Sequence, residues 1–415
     1  MSPRAGRLVI RAVAGALVMA VIVPAAGQAP QGIPVDTAAV APAAAAAPGP
    51  AAAAGPRIAL LLPLSGRQAA IGRAVRDGFL AGLLAAGDTR VGVDVIDAAG
   101  GVATAYGVAR DAGADVIVGP LLKEAVEALL PLAGDRPVLA LNYLGDDRPG
   151  PAGFYQFGLA PEDETAAVAD RVLGEGRLRG VALAPDNDWG RRLLNAFNAR
   201  FGAGGGSLVA WQFYDPAAAD FSAPVRTVLG SDAAAARARR LQANLGEPVD
   251  FEASARPDVD FIFVAANTGV ARRLAPALRF HGAGALPVYA TSAVYEDGLA
   301  SEPDLEGLWF PDSPWVIDPD SRARPVKAAL ASGSPEALAI SRLYALGYDA
   351  YGLAVRLAAG PLPTEGYAGV TGRLSVDAGG RVHRGLGFAR ITGGVAVAAD
   401  GVAAPPPPAG AAPGP

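Results

Sequence analysis

The residues in this 415-residue chain that could do chemistry are few. There is no cysteine, which excludes disulfides, thiolate metal sites, iron–sulfur clusters and a cysteine nucleophile together. Two histidines, His281 and His383, are too few for a histidine-rich metal site. His281 follows an expected helix over 270–280, where a cation suits the helix dipole, and reads as structural. His383 falls in an expected strand among arginines, with no catalytic partner in view. No Ser-x-x-Lys, no Gly-x-Ser-x-Gly, no phosphate loop and no Gly-x-Gly-x-x-Gly after a strand occurs. The glycines of 202–206 follow a helix and read as its stop. The sequence therefore predicts no enzyme, no metal and no cofactor.

What remains is binding chemistry. Ser65, Gly66, Pro120, Asn142, Tyr143, Asp188, Trp189, Asn267, Thr291 and Ser292 all lie just beyond apolar runs that read as strands. In open α/β sheets the crevice at the strands' carboxyl ends is where ligands bind, so these ten are the candidate cleft residues. Each also has a plain structural role open to it. Ser65, with Gln68 three residues on, forms a capping box. Asp186 or Asp188 can be an N-cap with Trp189 packing behind it, or the acidic turn and the indole can line the cleft. Arg237, Arg239 and Arg240, in an expected helix over 233–245, offer a partner surface or a solvated face.

The elements that must position these residues alternate regularly. Residues 58–62 are a continuous apolar run stopped by Pro63, which suits a strand buried on both faces. In the helix that follows, Ile71, Ala74, Val75, Gly78, Phe79, Gly82 and Leu83 fall on one face. The same strand–turn–helix grammar recurs over 180–201. Further strands are expected over 91–96, 115–119, 137–141, 208–214, 261–265 and 288–290, and a long amphipathic helix over 341–357. Residues 369–391 have strand–turn–strand character around 377–380. The expected fold is α/β, with two doubly wound parallel-sheet lobes and three crossings between them, the topology of type I periplasmic binding proteins. Lobe 1 is expected to comprise 57–160 and 293–360, and lobe 2 to comprise 161–292 and 361–399.

Apolar residues make up 51% of the chain, enough for large cores. A net charge of −5 and a pI of 5.2 argue against nucleic acid as a partner. Arg4, Arg7 and Arg11, the apolar stretch 12–23 and the small Ala25 and Ala26 read as a signal peptide over 1–26, which places the mature protein in the periplasm. Residues 27–56 are an Ala/Pro-rich linker and 400–415 a tail of the same composition.

Read together, IALLLPLSG, VGPLLKEAVEAL, PVLALN, YQFGLAPEDE, LAPDNDWG, VDFIFVAAN, LRFHGAGALPVYATS, PWVIDP and SRLYALGYDAY resemble the LppC/LpoA family of penicillin-binding protein activators. The resemblance runs in order from Arg57 to about Ile391. It implies a non-catalytic periplasmic regulator whose partner is a class A penicillin-binding protein. In the amino-acid-binding relatives of this fold, small hydroxyl residues follow the third strand. Here that loop reads Gly119-Pro120-Leu121-Leu122-Lys123-Glu124, which weakens the alternative of a solute-binding protein for an amino-acid or amide importer. A small-molecule ligand in the cleft remains unspecified. Longer family members carry an N-terminal helical-repeat domain that residues 1–56 do not resemble. The typical member's lipid-bearing cysteine has no counterpart here, although outer-membrane association is compatible with the family.

Overall fold

The computed structural model describes residues 7–10, 55–134, 136–145, 148–246, 256–297, 302–333, 335–364 and 366–399. Nearly all of the expected signal peptide, linker and tail lies outside these residues.

Lobe 1 opens with β1 (Arg7–Ile10) and β2 (Arg57–Leu62). It continues through α1 (Ala69–Ala86), β3 (Gly92–Asp97), α2 (Val102–Asp111), β4 (Val116–Val118), α3 (Lys123–Leu129), β5 (Val138–Ala140) and β6 (Phe154–Gln156). The strand order is β1-β3-β2-β4-β5-β6, and only β1 runs antiparallel. Every residue of β2 after Arg57 is buried, as a strand covered on both faces requires.

Lobe 2 holds α4 (Pro161–Gly174), β7 (Arg179–Pro185), α5 (Asp188–Ala203), β8 (Ser207–Tyr214), α6 (Ser222–Leu229), α7 (Ser231–Leu245), β9 (Phe261–Val264), α8 (Thr268–Leu278), β10 (Val288–Ala290) and β11 (Trp309–Asp312). The chain then passes through α9 (Pro314–Ile317), α10 (Ala323–Gly333) and α11 (Pro335–Ala339) to the long α12 (Ser341–Ala359). It ends with β12 (Tyr367–Ala368), β13 (Arg373–Val376), β14 (Val382–Gly385), β15 (Gly387–Thr392) and β16 (Val395–Ala398). The second sheet has the order β16-β15-β11-β10-β9-β7-β8, parallel from β11 to β8 and antiparallel at β15 and β16. The parallel strands of the two lobes have the same order (second, first, third, fourth, fifth), so each has its topological switch between its first and third strands.

The lobes exchange chain at three places, but two of the expected boundaries move. Residues 293–317, assigned from sequence to lobe 1, stay with lobe 2. The strand Trp309–Asp312 pairs with β10 on one side and β15 on the other, and Trp315 is fully buried in lobe 2's core. Most of residues 361–385, assigned to lobe 2, pack instead on lobe 1, while Val370 stays in lobe 2's core. Leu362, Leu374, Val376 and Val382 join the core of lobe 1, and Arg381 bridges to Gln156 at the edge of its sheet. Short strands such as WFPD and RLSV carry no period long enough to show which sheet will accept them. The helix Pro161–Gly174 follows directly from the first crossing, with Pro161 in its first turn.

The join between α1 and α12 holds lobe 1 together. Both helices present glycine where they meet. A Cβ on Gly78 would lie 2.0 Å from the Tyr344 carbonyl oxygen, and one on Gly347 would lie 2.0 Å from the Val75 carbonyl oxygen. The backbones can touch only because neither residue has a side chain. Phe79 and Tyr351 then meet edge to face at 5.5 Å.

Candidate functional site

Between the lobes lies a cleft of about 610 Å³, within the range of small-molecule sites. Lobe 1 contributes Lys123 from the first turn of α3 and Asn142 and Tyr143 from the end of β5. The first crossing contributes Gly158 to Glu162, lobe 2 contributes Arg192 and Asn195 from α5, and Arg381 comes from the β13–β14 turn. The side chain of Asn195 has no hydrogen bond among the described residues and stands free to meet a ligand, while the Lys123 charge acts on Glu127 one turn along α3.

Of the ten residues proposed from sequence, only Asn142 and Tyr143 line this cleft. The Asn142 amide donates to the Leu121 carbonyl at 2.9 Å and its oxygen accepts the Tyr143 N–H at 2.9 Å, so it shapes the loop. The Tyr143 hydroxyl lies 3.1 Å from the Gly158 carbonyl and 3.0 Å from the Val382 carbonyl, while the Arg381 guanidinium stacks 4.4 Å above its ring. Burial and the neighbouring Asp163 push its pKa upward, so it remains a neutral clamp between the crossing and β14.

The others take structural roles. Ser65 does not cap α1: it lies beside Asp97, whose carboxylate receives the N–H groups of Leu64 and Ala99. Burial would raise the Asp97 pKa, but these bonds outweigh it and hold the group below the usual range. The helix begins instead at Gln68, with no side-chain cap. Gly66 is exposed with a φ of 71°, a turn position. The Pro120 carbonyl accepts the Leu141 N–H, continuing the sheet. In lobe 2 the α5 cap is Asn187, not Asp186 or Asp188, and its side chain accepts the Gly190 N–H at 2.9 Å. Asp188 is exposed, and Trp189 packs on the phenylalanine cluster of Phe197, Phe201 and Phe263. Asn267 caps α8 through the Val270 N–H. Thr291 is fully buried, its hydroxyl unpartnered among the described residues. Arg237, Arg239 and Arg240 are exposed on α7, which buries only Ser231. His281 is buried in the kinked turn after α8, where Gly282 has a φ of 87°.

Ser292 belongs to a charged junction alongside the cleft that sequence reasoning missed. Glu164, in the first turn of α4, accepts both the N–H and the hydroxyl of Ser292 at 2.9 Å, and the Arg384 guanidinium stands 3.8 Å away. Arg342, near the start of α12, pairs with Asp312 at 2.5 Å and donates to the carbonyls of Ser292 and Tyr295. His383 does have carboxylate partners: Nδ1 is 3.2 Å from Asp163 and Nε2 is 3.2 Å from Asp377. Elements of both lobes thus meet on one network of acids and bases. Nothing in the strings around Glu164 or Arg384 marks them as buried. Only the first-turn position of Glu164 after Pro161 hints at a role at the helix N-terminus.

Burial is the main cause that pushes the Glu164 pKa up from 4.5 to about 7, against the pull of Arg384. For His383, the hydrogen bond to Asp163 raises the pKa above 6.5. Both shifts favour the protonated forms in the folded state, so both contributions have the same sign. The stability from Glu164 is present at low pH and is lost as pH rises from its unfolded to its folded value. That from His383 is complete below 6.5 and is lost as pH rises through its folded value. Urea unfolding is therefore expected to show the protein weaker by about 2 kcal/mol at about pH 8 than at about pH 5.5. Glu164→Gln should flatten that slope, and an unchanged slope would show that Glu164 does not titrate in this window.

With this geometry in view, comparison with known proteins is decisive. The family model described as "LppC putative lipoprotein" matches residues 52–394. The chain belongs to the LppC family. Among relatives, the penicillin-binding protein activator LpoA of Vibrio cholerae is 29% identical over 80% of this chain, and the chain spans 56% of that relative's length. The LpoA of Mannheimia succiniciproducens is 32% identical over 81% of this chain and 54% of its own length. The structure of the LpoA C-domain from Haemophilus influenzae, a regulator of PBP1A, is matched over its full length and 83% of this chain, with 25% identity and a TM-score of 0.65. An ABC transporter substrate-binding protein from Sphaerobacter thermophilus, 18% identical over 84% of this chain and 98% of its own with a TM-score of 0.58, shares the fold alone. Within this LppC member, no group of described residues could hold a metal, and no described helix is long and apolar enough to cross a membrane.

Proposed function

We propose that this chain is a non-catalytic, exported regulator that binds a class A penicillin-binding protein and stimulates its crosslinking activity. The observation that carries the reading is the family match across the two-lobe body, 52–394, together with coverage of the whole of a domain described as a regulator of PBP1A. The body has two lobes joined by three chain passes, which suits a regulator that reports its state to a partner on its outer surface. Among the described surfaces, α7 presents Arg237, Arg239 and Arg240 to solvent with no partner of their own.

The purified chain should bind a class A penicillin-binding protein from the same cell and raise its peptide crosslinking on a lipid-linked disaccharide-peptide substrate. Reversing the three arginines to glutamate should weaken binding while leaving the melting temperature unchanged, with the wild-type affinity falling as salt rises. If the triple variant binds like the wild type, α7 is a solvated face. If the intact chain neither binds nor stimulates, the regulator reading fails.

A further inference from the structure

A second concavity lies at the opposite end of lobe 2's sheet from the cleft. The cleft gathers residues that follow the carboxyl ends of strands, whereas this pocket of about 480 Å³ is built around the amino ends of β10 and β11, at Val288 and Trp309. Its floor is apolar: Leu278, Ala283 and Leu308 are all buried. Three arginines, Arg177, Arg279 and Arg390, stand on its walls with a single carboxylate, Glu306.

The three cations are not equivalent. Arg177 is already engaged, by Glu175 at 2.9 Å and by the Asp260 carbonyl at 3.1 Å. Among the described residues Arg279 donates only to the Asp304 carbonyl, at 3.0 Å. Arg390 sits opposite Trp309 in the β11–β15 register, and its guanidinium lies 5.4 Å from the centre of that indole, which Arg171 also approaches at 5.1 Å. Among the described residues Arg390 makes no hydrogen bond, and neither it nor Arg279 has an acid within ion-pairing distance. A guanidinium with no carboxylate partner keeps its fork of N–H donors available, which is the arrangement that recognises a carboxylate with two parallel bonds. Glu306 makes no ion pair with Arg279 or Arg390 among the described residues; it accepts the Gly394 N–H at 3.2 Å and holds the β15–β16 turn.

We propose that this pocket is a second binding site, distinct from the cleft, for a small carboxylate attached to a flat apolar group. Arg279 and Arg390 hold the carboxylate, and the floor of Leu278, Ala283 and Leu308 packs against the apolar part. The charge selects an anion, the volume suits a small molecule, and the apolar floor beside Trp309 favours an anion that carries an apolar group over a bare inorganic ion. The proposal does not depend on the regulator reading.

Titration calorimetry on the full chain tests it with three probes: N-acetylphenylalanine, its neutral amide and inorganic phosphate. N-Acetylphenylalanine should bind with a dissociation constant on the order of millimolar, as its size allows. The amide and phosphate should bind at least tenfold more weakly. Arg279→Gln, at an exposed helix end, and Arg390→Gln should each weaken N-acetylphenylalanine at least tenfold with the melting temperature retained. Lys123→Gln, in the cleft, should leave its binding unchanged. Absence of binding, equal binding of phosphate or the amide, unaltered binding by both arginine variants, or loss of binding in Lys123→Gln would each overturn the assignment.

Discussion

Arg342→Met is expected to destabilise the protein by about 3–5 kcal/mol, read as a lower midpoint in urea unfolding at neutral pH. Asp312 is 2% exposed and receives the Arg342 guanidinium at 2.5 Å. Removing the cation leaves a buried carboxylate with, among the described residues, only the N–H and hydroxyl of Ser313 as donors, at 2.7 and 3.1 Å. An uncompensated buried charge is among the few lesions of this size that a single substitution produces. Arg342 also ties the start of α12 to the carbonyls of Ser292 and Tyr295, so the same change loosens one of the three passes between lobes. Adding Asp312→Asn to Arg342→Met should recover part of the loss, because a neutral amide tolerates burial better than a stranded carboxylate. A double variant no more stable than the single one would show that the loss is packing and not charge.

Gly347→Ala is expected to cost about 3 kcal/mol, at the upper end of overpacking effects. One methyl group is added, but its carbon would stand 2.0 Å from the Val75 carbonyl oxygen and 2.8 Å from the Phe79 nitrogen, both backbone atoms that no rotamer change can move. The helices must separate, and the Phe79–Tyr351 contact opens with them. Alanine raises intrinsic helix propensity by up to about 1 kcal/mol, so a destabilised variant would demonstrate that close approach outweighs propensity here. An unchanged or raised melting temperature would mean that α1 and α12 can part without loss. Gly107, on α2 with nothing within 4 Å of its would-be Cβ, supplies the control: Gly107→Ala should be neutral or stabilising.

The two lobes were legible because parallel strands covered on both faces read as unbroken apolar runs, and β2, β4, β5, β7, β9 and β10 all do. The amphipathic faces of α1 and α12 were legible for the same reason of period. The candidate site was much less so. Position after a strand places a residue at the carboxyl edge of a sheet, but which edge loops face the other lobe depends on the angle between lobes. Asn142 and Tyr143 reach the cleft from the end of β5, while Ser65 and Asn267, equally well placed by that rule, turn back to Asp97 and to the start of α8.

The sequence by itself determined the fold class and the family, because both rest on local runs and on strings that survive in order along the chain. It also excluded thiol chemistry outright. The tertiary structure alone decided the allocation of 293–317 and 361–385 between lobes, since a four-residue strand is fixed by the partner that accepts its hydrogen bonds and not by its own composition. It alone brought Glu164, Ser292, Asp312, Arg342, His383 and Arg384 together from segments up to 220 residues apart, as Asp163 and His383 are. Charge–charge contacts act through space, and no period or spacing along the chain records which charges folding will bury side by side.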